Sequence, residues 1–290
     1  MSAVPEPTAA SETPTVLIRP TRGLASLQLK EVWTYRELLY FLVWRDVKVR
    51  YKQTALGVAW AVLQPVMATV VFTIFFGQLA NIGSDGLPYP LFSFAGLLAW
   101  NFFAQGLAQA SGSLVASSNL IKKVYFPRLV IPISSVLVGL VDLCVGLVCL
   151  LGIMAHYRVW PSATFLLLPV FVFLAAGAAL GVGMFLSALN VKYRDVRYVV
   201  PFFVQLWLFV TPVIYPASLV APKMKAAGVP VWLYGLNPMA GAVEGFRWAA
   251  LGTGTVAGSV ITTSIAVTAV LLVGGVFYFR QTERTFADIV

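Results

Sequence analysis

A polytopic, all-α membrane protein is the fold class this sequence predicts, and three observations predict it. Apolar residues fill 59% of the 290 positions and charged residues only 11%, less than half of the roughly 25% carried by soluble domains. The charges are also segregated: uncharged runs occupy 53–84, 86–121, 159–191, 198–222 and 248–279. Each exceeds the roughly 20 residues that cross a hydrocarbon core. A further run, 129–157, is interrupted by Asp142 alone. Lipid offers no hydrogen-bond partners to the backbone, so such runs must be helices. The net charge of +9 does not indicate nucleic acid, because the cations flank apolar runs rather than covering a soluble face.

Along the chain, residues 1–20 hold Pro, Ser, Thr and two glutamates without an apolar core, which reads as a disordered tail rather than a cleaved signal. Residues 21–57 form an interfacial region, and 58–290 the membrane domain. Within 31–54 no Pro or Gly interrupts EVWTYRELLYFLVWRDVKVRYKQT, so a helix is expected. Glu37, Arg45, Lys48 and Lys52 share one sector of it, with Leu39, Leu42 and Val43 opposite. Asp46 and Arg50 fall on the apolar side, where their spacing would let them pair. Trp33 and Trp44 suit the headgroup layer. Such a helix anchors the first span at the interface, or also touches a cytosolic partner.

Six spans are expected at 58–80, 90–114, 130–155, 163–188, 199–219 and 256–279. The stretch 222–250 is apolar enough for a seventh, but Pro222, Pro230 and Pro238 divide it, and Pro201, Pro212 and Pro216 precede it. Broken helices at membrane depth are tolerated where protein or a wet cavity surrounds them, so a re-entrant or interfacial hairpin is the reading. With both termini on one side, that side collects eight Lys and Arg before residue 53, three in 119–128, three in 190–197 and two after residue 279. That is sixteen of the twenty, which makes it the cytoplasmic side.

Several chemistries are excluded. The single histidine, His156, cannot supply a zinc cluster or a catalytic triad. No lysine follows a glycine anywhere, so a phosphate-cradling GxxxxGK[ST] loop is absent and the chain is not expected to be an enzyme. Cys144 and Cys149 sit five apart in one span, on different helical faces. Asp142 is either a proton or ion site, or a helix–helix hydrogen bond. A proton-coupled carrier needs a relay, and no second carboxylate or His lies within a span. Glu244 and Arg247, three apart in EGFR, suit a local pair. The small residues of AAGAALGVG (175–183) suit close helix packing.

Five stretches carry a resemblance: WRDVKVRYKQTALGVAWAVLQP (44–65), NLIKKVYFPRLVIP (119–132), LSALNVKYRDVRYVVPF (186–202), TPVIYP (211–216) and LNPMAGAVEGFRWA (236–249). In this order they resemble the permease subunits of type-2 ABC exporters, in the branch moving lipid-linked polysaccharide such as O antigen, capsule or teichoic acid. The resemblance implies a homodimer in a bacterial inner membrane, paired with two copies of a separate ATPase that holds ATP and Mg. It implies a coupling helix between the second and third spans, here bearing Lys122, Lys123, Tyr125, Phe126 and Arg128. The two aromatics would be buried anchors in the ATPase groove, and the cations would meet an acidic rim. A second contact would use Tyr193, Arg194, Asp195 and Arg197, with Arg194 and Asp195 fixing the turn and Tyr193 packed. The outer hairpin would close the channel exit through Tyr215, Pro216, Asn237, Pro238, Glu244 and Arg247.

The pyrophosphate of a lipid carrier would meet Arg45, Lys48, Arg50 and Lys52 near the cytoplasmic leaflet. Within the exporters, teichoic acid, another glycolipid or a drug is the alternative cargo; outside them, a proton-coupled secondary transporter is the rival. The topology is directly testable. Green fluorescent protein fused after residue 290 should fluoresce, and alkaline phosphatase inserted within 223–229 should be active; the reverse pattern inverts the orientation.

Overall fold

A computed structural model of the chain describes residues 29–52, 57–193, 195–252 and 258–289, and all regular structure within them is helical. The expected tail at 1–20 lies outside the described residues. Helices α1 (Leu29–Thr34) and α2 (Arg36–Lys52) precede α3 (Gly57–Phe72), which continues as a π-helical turn, Thr73–Leu79. Then come α4 (Tyr89–Ala116), α5 (Ser118–Lys123), α6 (Val130–His156) and α7 (Leu168–Lys192). Helices α8 (Val196–Val210), α9 (Ala217–Ala226), α10 (Pro238–Leu251) and α11 (Gly258–Ile289) complete the chain.

Among the described residues, five segments are long and apolar enough to cross a membrane: Ala59–Leu79, Tyr89–Ala116, Val130–His156, Ala163–Lys192 and Gly258–Glu283. These match five of the six expected spans. The fifth expected span, 199–219, differs. Its helix, α8, has 15 residues and stops at Thr211, about 22 Å at 1.5 Å per residue, because the TPVIYP stretch breaks into turns.

Helix α4 is the centre of the bundle. Its apolar residues run all the way round, as a core helix requires, and Leu91, Phe92, Phe94, Phe103 and Leu107 are fully buried. It packs chiefly on α6 and α7, and α7 packs on α11. In lipid there is no hydrophobic drive between helices, so association depends on backbones coming close enough for dispersion contacts. The 175–183 stretch does this as expected: Ala175, Ala178 and Ala179 are buried. A Cβ added to Gly181 would lie 2.6 Å from the Leu271 backbone, and one on Gly183 would lie 2.7 Å from Ala110 Cβ. Opposite small residues on α6 do the same against α4, with Gly139 beside Phe102.

One end of the bundle carries α5, Tyr193 and the start of α8, with Lys122, Lys123, Arg128, Lys192 and Arg197; it is the basic end. The opposite end carries the 80–88 and 157–162 connections. Helices α9 and α10 belong to that opposite end: Ser218 donates to Asp85 at 2.6 Å, and Thr164 donates to the Ala249 carbonyl at 3.2 Å. Both flanks of the 217–252 segment therefore lie at one end, while Asn237 between them reaches inward to Trp207. Proline at the first position starts α10, with the Asn237 side chain capping the Met239 N–H. Gly252, at φ 68°, ends it in the left-handed conformation.

Helix α2 leans along α6. Leu42 is buried in a cluster with Leu114, Phe126 and Leu129, and Val32, Tyr35, Leu38 and Leu39 pack beside it; of the expected stripe, Leu39 and Leu42 join this cluster and Val43 does not. The expected Asp46–Arg50 pair does not form. Arg45 pairs with Asp46 at 2.8 Å, and Arg50 pairs with Asp142 of α6.

The close α7–α11 approach yields a prediction. Gly181→Val should destabilise the purified protein by about 1–3 kcal/mol, as overpacking does, read as a lowered unfolding temperature in detergent. Gly152→Ala, where an added Cβ meets nothing within 4 Å, should leave that temperature unchanged or higher.

Candidate functional site

At the basic end, Ser118–Lys123 forms a six-residue helix directly after α4. Lys122 and Lys123 in its last turn point outward. The two following aromatics part company: Tyr125 is 78% exposed, whereas Phe126 is 5% exposed. Phe126 packs into the chain's own cluster with Leu42 and Leu129. The expectation that both rings project as anchors is therefore corrected, because the apolar side of the turn is needed to hold the loop onto the bundle. Arg128 also turns inward: its backbone N–H donates to Glu283 Oε1 at 3.2 Å, and its guanidinium donates to the Glu283 carbonyl. Arg280 pairs with the same carboxylate at 3.0 Å, so the end of α11 ties down the turn. The outward surface left is Lys122, Lys123, Val124 and Tyr125.

The neighbouring turn adds Tyr193, which is 54% exposed rather than packed as expected, with Lys192 Nζ 5.2 Å from its ring centroid. Asp195 occupies the cap position of α8 without a side-chain capping bond. Arg197 lies 4.6 Å over the Tyr198 ring and donates to its hydroxyl at 2.6 Å. Arg194 lies outside the described residues. The basic end thus presents two rings, each with a cation stacked on it, beside the exposed Tyr125. Stacked and partly immobilised side chains lose little further entropy on docking, which suits a protein contact surface.

At the opposite end, Glu244 and Arg247 form the expected pair, 2.8 Å apart, with relative exposures of 7% and 3%. The pair also holds backbone. Arg247 donates to the Pro212 and Val213 carbonyls at 2.8 and 3.2 Å, while Glu244 accepts from the Ala217 N–H at 2.9 Å. Tyr89 donates to the Ile214 carbonyl at 2.7 Å. The guanidinium carbon sits 3.7 Å above the Phe92 ring, and Gly96 makes room, since a Cβ there would meet Arg247 Nη2 at 2.5 Å. Burial raises the Glu244 carboxyl above its ordinary value and lowers the Arg247 guanidinium, and each partner pulls the other back. Removing one member of such a buried pair costs about 3–5 kcal/mol.

The remaining residues of this end join the same cluster. Asn237 accepts from Trp207 Nε1 at 2.9 Å and donates to Thr211 Oγ1 at 3.0 Å. Pro238 follows it as the first residue of α10. Tyr215 donates to the Phe209 carbonyl at 3.1 Å and accepts from the Tyr234 hydroxyl at 3.4 Å. Pro216 caps α9. All six residues expected here come together. Trp207, Tyr234 and Tyr89 were not foreseen, since aromatics are too frequent in this chain for any one to stand out.

The four cations of α2 do not form one cluster. Arg45 is engaged by Asp46, Lys48 Nζ lies 4.9 Å from the Trp44 ring centroid, and Lys52 is exposed. Arg50 and Tyr51 both bond Asp142, so the expectation of Arg50 as a phosphate ligand is corrected: it neutralises a carboxylate in a span. Asp142 takes the helix–helix role. Among the described residues, no group of three metal-ligating side chains is present.

The profile of the ABC-2 type transporter family matches residues 37–251. An O-antigen export system permease protein of Myxococcus xanthus is 30% identical over 220 residues, covering 76% of this chain and 82% of that protein. Two proteins of the same description from Klebsiella pneumoniae are 26% and 28% identical, each covering 88% of this chain and 95% of its own length. With a profile spanning most of the chain and relatives aligned through both ends of the bundle, this protein belongs to the ABC-2 type transporter family.

Proposed function

We propose that this chain is the channel-forming transmembrane subunit of an ATP-driven exporter that moves O-antigen-type, lipid-linked polysaccharide across a bacterial inner membrane. The observation that carries the reading is the alignment of 88% of the chain with 95% of permeases described as O-antigen exporters. The chain works as a homodimer with six spans per subunit, the short α8 being the fifth and 217–252 a re-entrant segment at the exit. Both termini are cytoplasmic, and two copies of a separate ATPase bind ATP and Mg.

The basic end is the docking face. Tyr125 is the anchor, set on a turn that Phe126 and Arg128 hold rigid, and Lys122 and Lys123 flank it. Tyr193, Asp195 and Arg197 form the second contact. A rigid turn transmits displacement: when nucleotide draws two ATPases together, the push passes through Phe126 and Glu283 into α4, α6 and α11. Only a difference in docking between ATPase states can drive such a change. Lys48 and Lys52, at the outer face of α2, are the cations best placed for a carrier pyrophosphate.

Two experiments test this. In a strain deleted for its O-antigen permease but retaining the ATPase, expression of this chain with its cognate ATPase should restore the lipopolysaccharide ladder; a well-expressed pair without a ladder overturns the assignment. Separately, Tyr125→Ala should weaken ATPase co-purification by about 2 kcal/mol, near thirtyfold, with the permease still stable. Phe126→Ala should instead cost about 3–5 kcal/mol of stability in the isolated permease. Undiminished co-purification of Tyr125→Ala would remove the docking role.

A further inference from the structure

A cavity of about 570 Å³ lies among the last turn of α2, α3, α4 and α6, away from both ends already described. It sits at mid-bundle: Asn101 is twelve residues into the 28-residue α4, and Asp142 twelve residues into the 27-residue α6. Three primary amides face it, Gln64 of α3 with Asn101 and Gln105 of α4. Asn101 and Gln105 are four apart, one turn above the other on the same helical face. None of these amides has a hydrogen-bond partner in the chain among the described residues. Each carries two donors and an acceptor; Asn101 and Gln105 are half-buried and Gln64 is exposed at the open side, an arrangement that suits a polar occupant.

The rest of the lining defines that occupant. Arg50 and Asp142 neutralise each other, with Tyr51 donating to the same carboxylate, so the cavity offers no net charge to a phosphate. Asp142 is its single carboxylate, which is too little for a metal ion. Trp60 and Phe102 contribute rings, flat apolar faces of the kind that pack against the C–H face of a pyranose. The volume falls within the range of ligand-holding pockets and far exceeds that of a single water. On the α3 side the wall is open, since Trp60 is 58% exposed. We infer that this cavity is a binding site for a neutral, hydroxyl-rich sugar unit of the transported glycolipid; the inference rests on the export reading above and assigns it a place inside the membrane. The amides read the hydroxyls, the rings hold the sugar face, and the Arg50–Asp142 pair keeps the site uncharged.

The test uses the permease–ATPase complex in nanodiscs and polyprenyl diphosphate-linked N-acetylglucosamine carrying a diazirine on its acyl group. Photolysis should give adducts on the peptides holding Trp60–Gln64 and Asn101–Gln105. Unlabelled sugar-bearing lipid should compete, and polyprenyl diphosphate without sugar should not. Asn101→Leu combined with Gln105→Leu should cut labelling at least tenfold. Equal competition by the sugar-free lipid, or adducts only elsewhere, overturns the site, and both are read on the wild-type protein should the variant fail to fold. A restored lipopolysaccharide ladder without these adducts overturns this inference alone. Adducts competed by the sugar without a ladder retain the site and overturn the export reading.

Discussion

The structure depends on one constraint: charged and backbone groups taken out of water are held by partners within the protein. The Arg247–Glu244 pair is where that constraint is most visible. The chain leaves helical geometry at Thr211 and does not resume it until Ala217, which frees several backbone groups at once. Arg247 takes two of the freed carbonyls, Tyr89 a third, and Glu244 the N–H that begins α9. A guanidinium suits this task because its five donors fan out in a plane. Glu244 balances its charge, and Gly96 and Phe92 shape the space it fills. The cluster thereby ties the 211–217 bend to α10 and to the start of α4.

The same constraint explains the two charges that look misplaced in sequence. Arg50 lies on the packed side of α2, and Asp142 interrupts an otherwise apolar span. Each would be costly alone, and each answers the other across the α2–α6 contact. The pair fixes where α2 stops along α6, in the way a buried polar contact sets register. It also leaves a neutral, polar wall facing the amides of α4.

Burial and exposure are divided along the bundle. Phe126 and Glu283 bind the connecting turn to α11 and to the base of α4, while Tyr125 stays outside. Helices α4, α7 and α11 are joined through glycine and alanine contacts that permit almost no slack. Helices α3 and α8 are different: Trp60, Leu63, Met67, Phe202, Phe203 and Phe209 face outward.

Much of this was legible in the sequence because the bilayer reduces the problem to length and charge. Five spans, the segregation of cations and the packing role of 175–183 follow from uncharged runs and small residues, whose physics is local. The Glu244–Arg247 pair was legible too, since three-residue spacing on a helix settles it. What tertiary structure alone decided concerns partners distant along the chain. The sequence pointed Arg50 at Asp46, four residues away, and the fold gave it Asp142, 92 residues on. It placed Tyr125 and Phe126 together, and the fold turned one in and the other out. No signal in the sequence singled out Gln64, Asn101 and Gln105; the packing of α3 against α4 and α6 puts them on one cavity. Local periodicity determines which residues must leave water, and three-dimensional packing determines which of them meet.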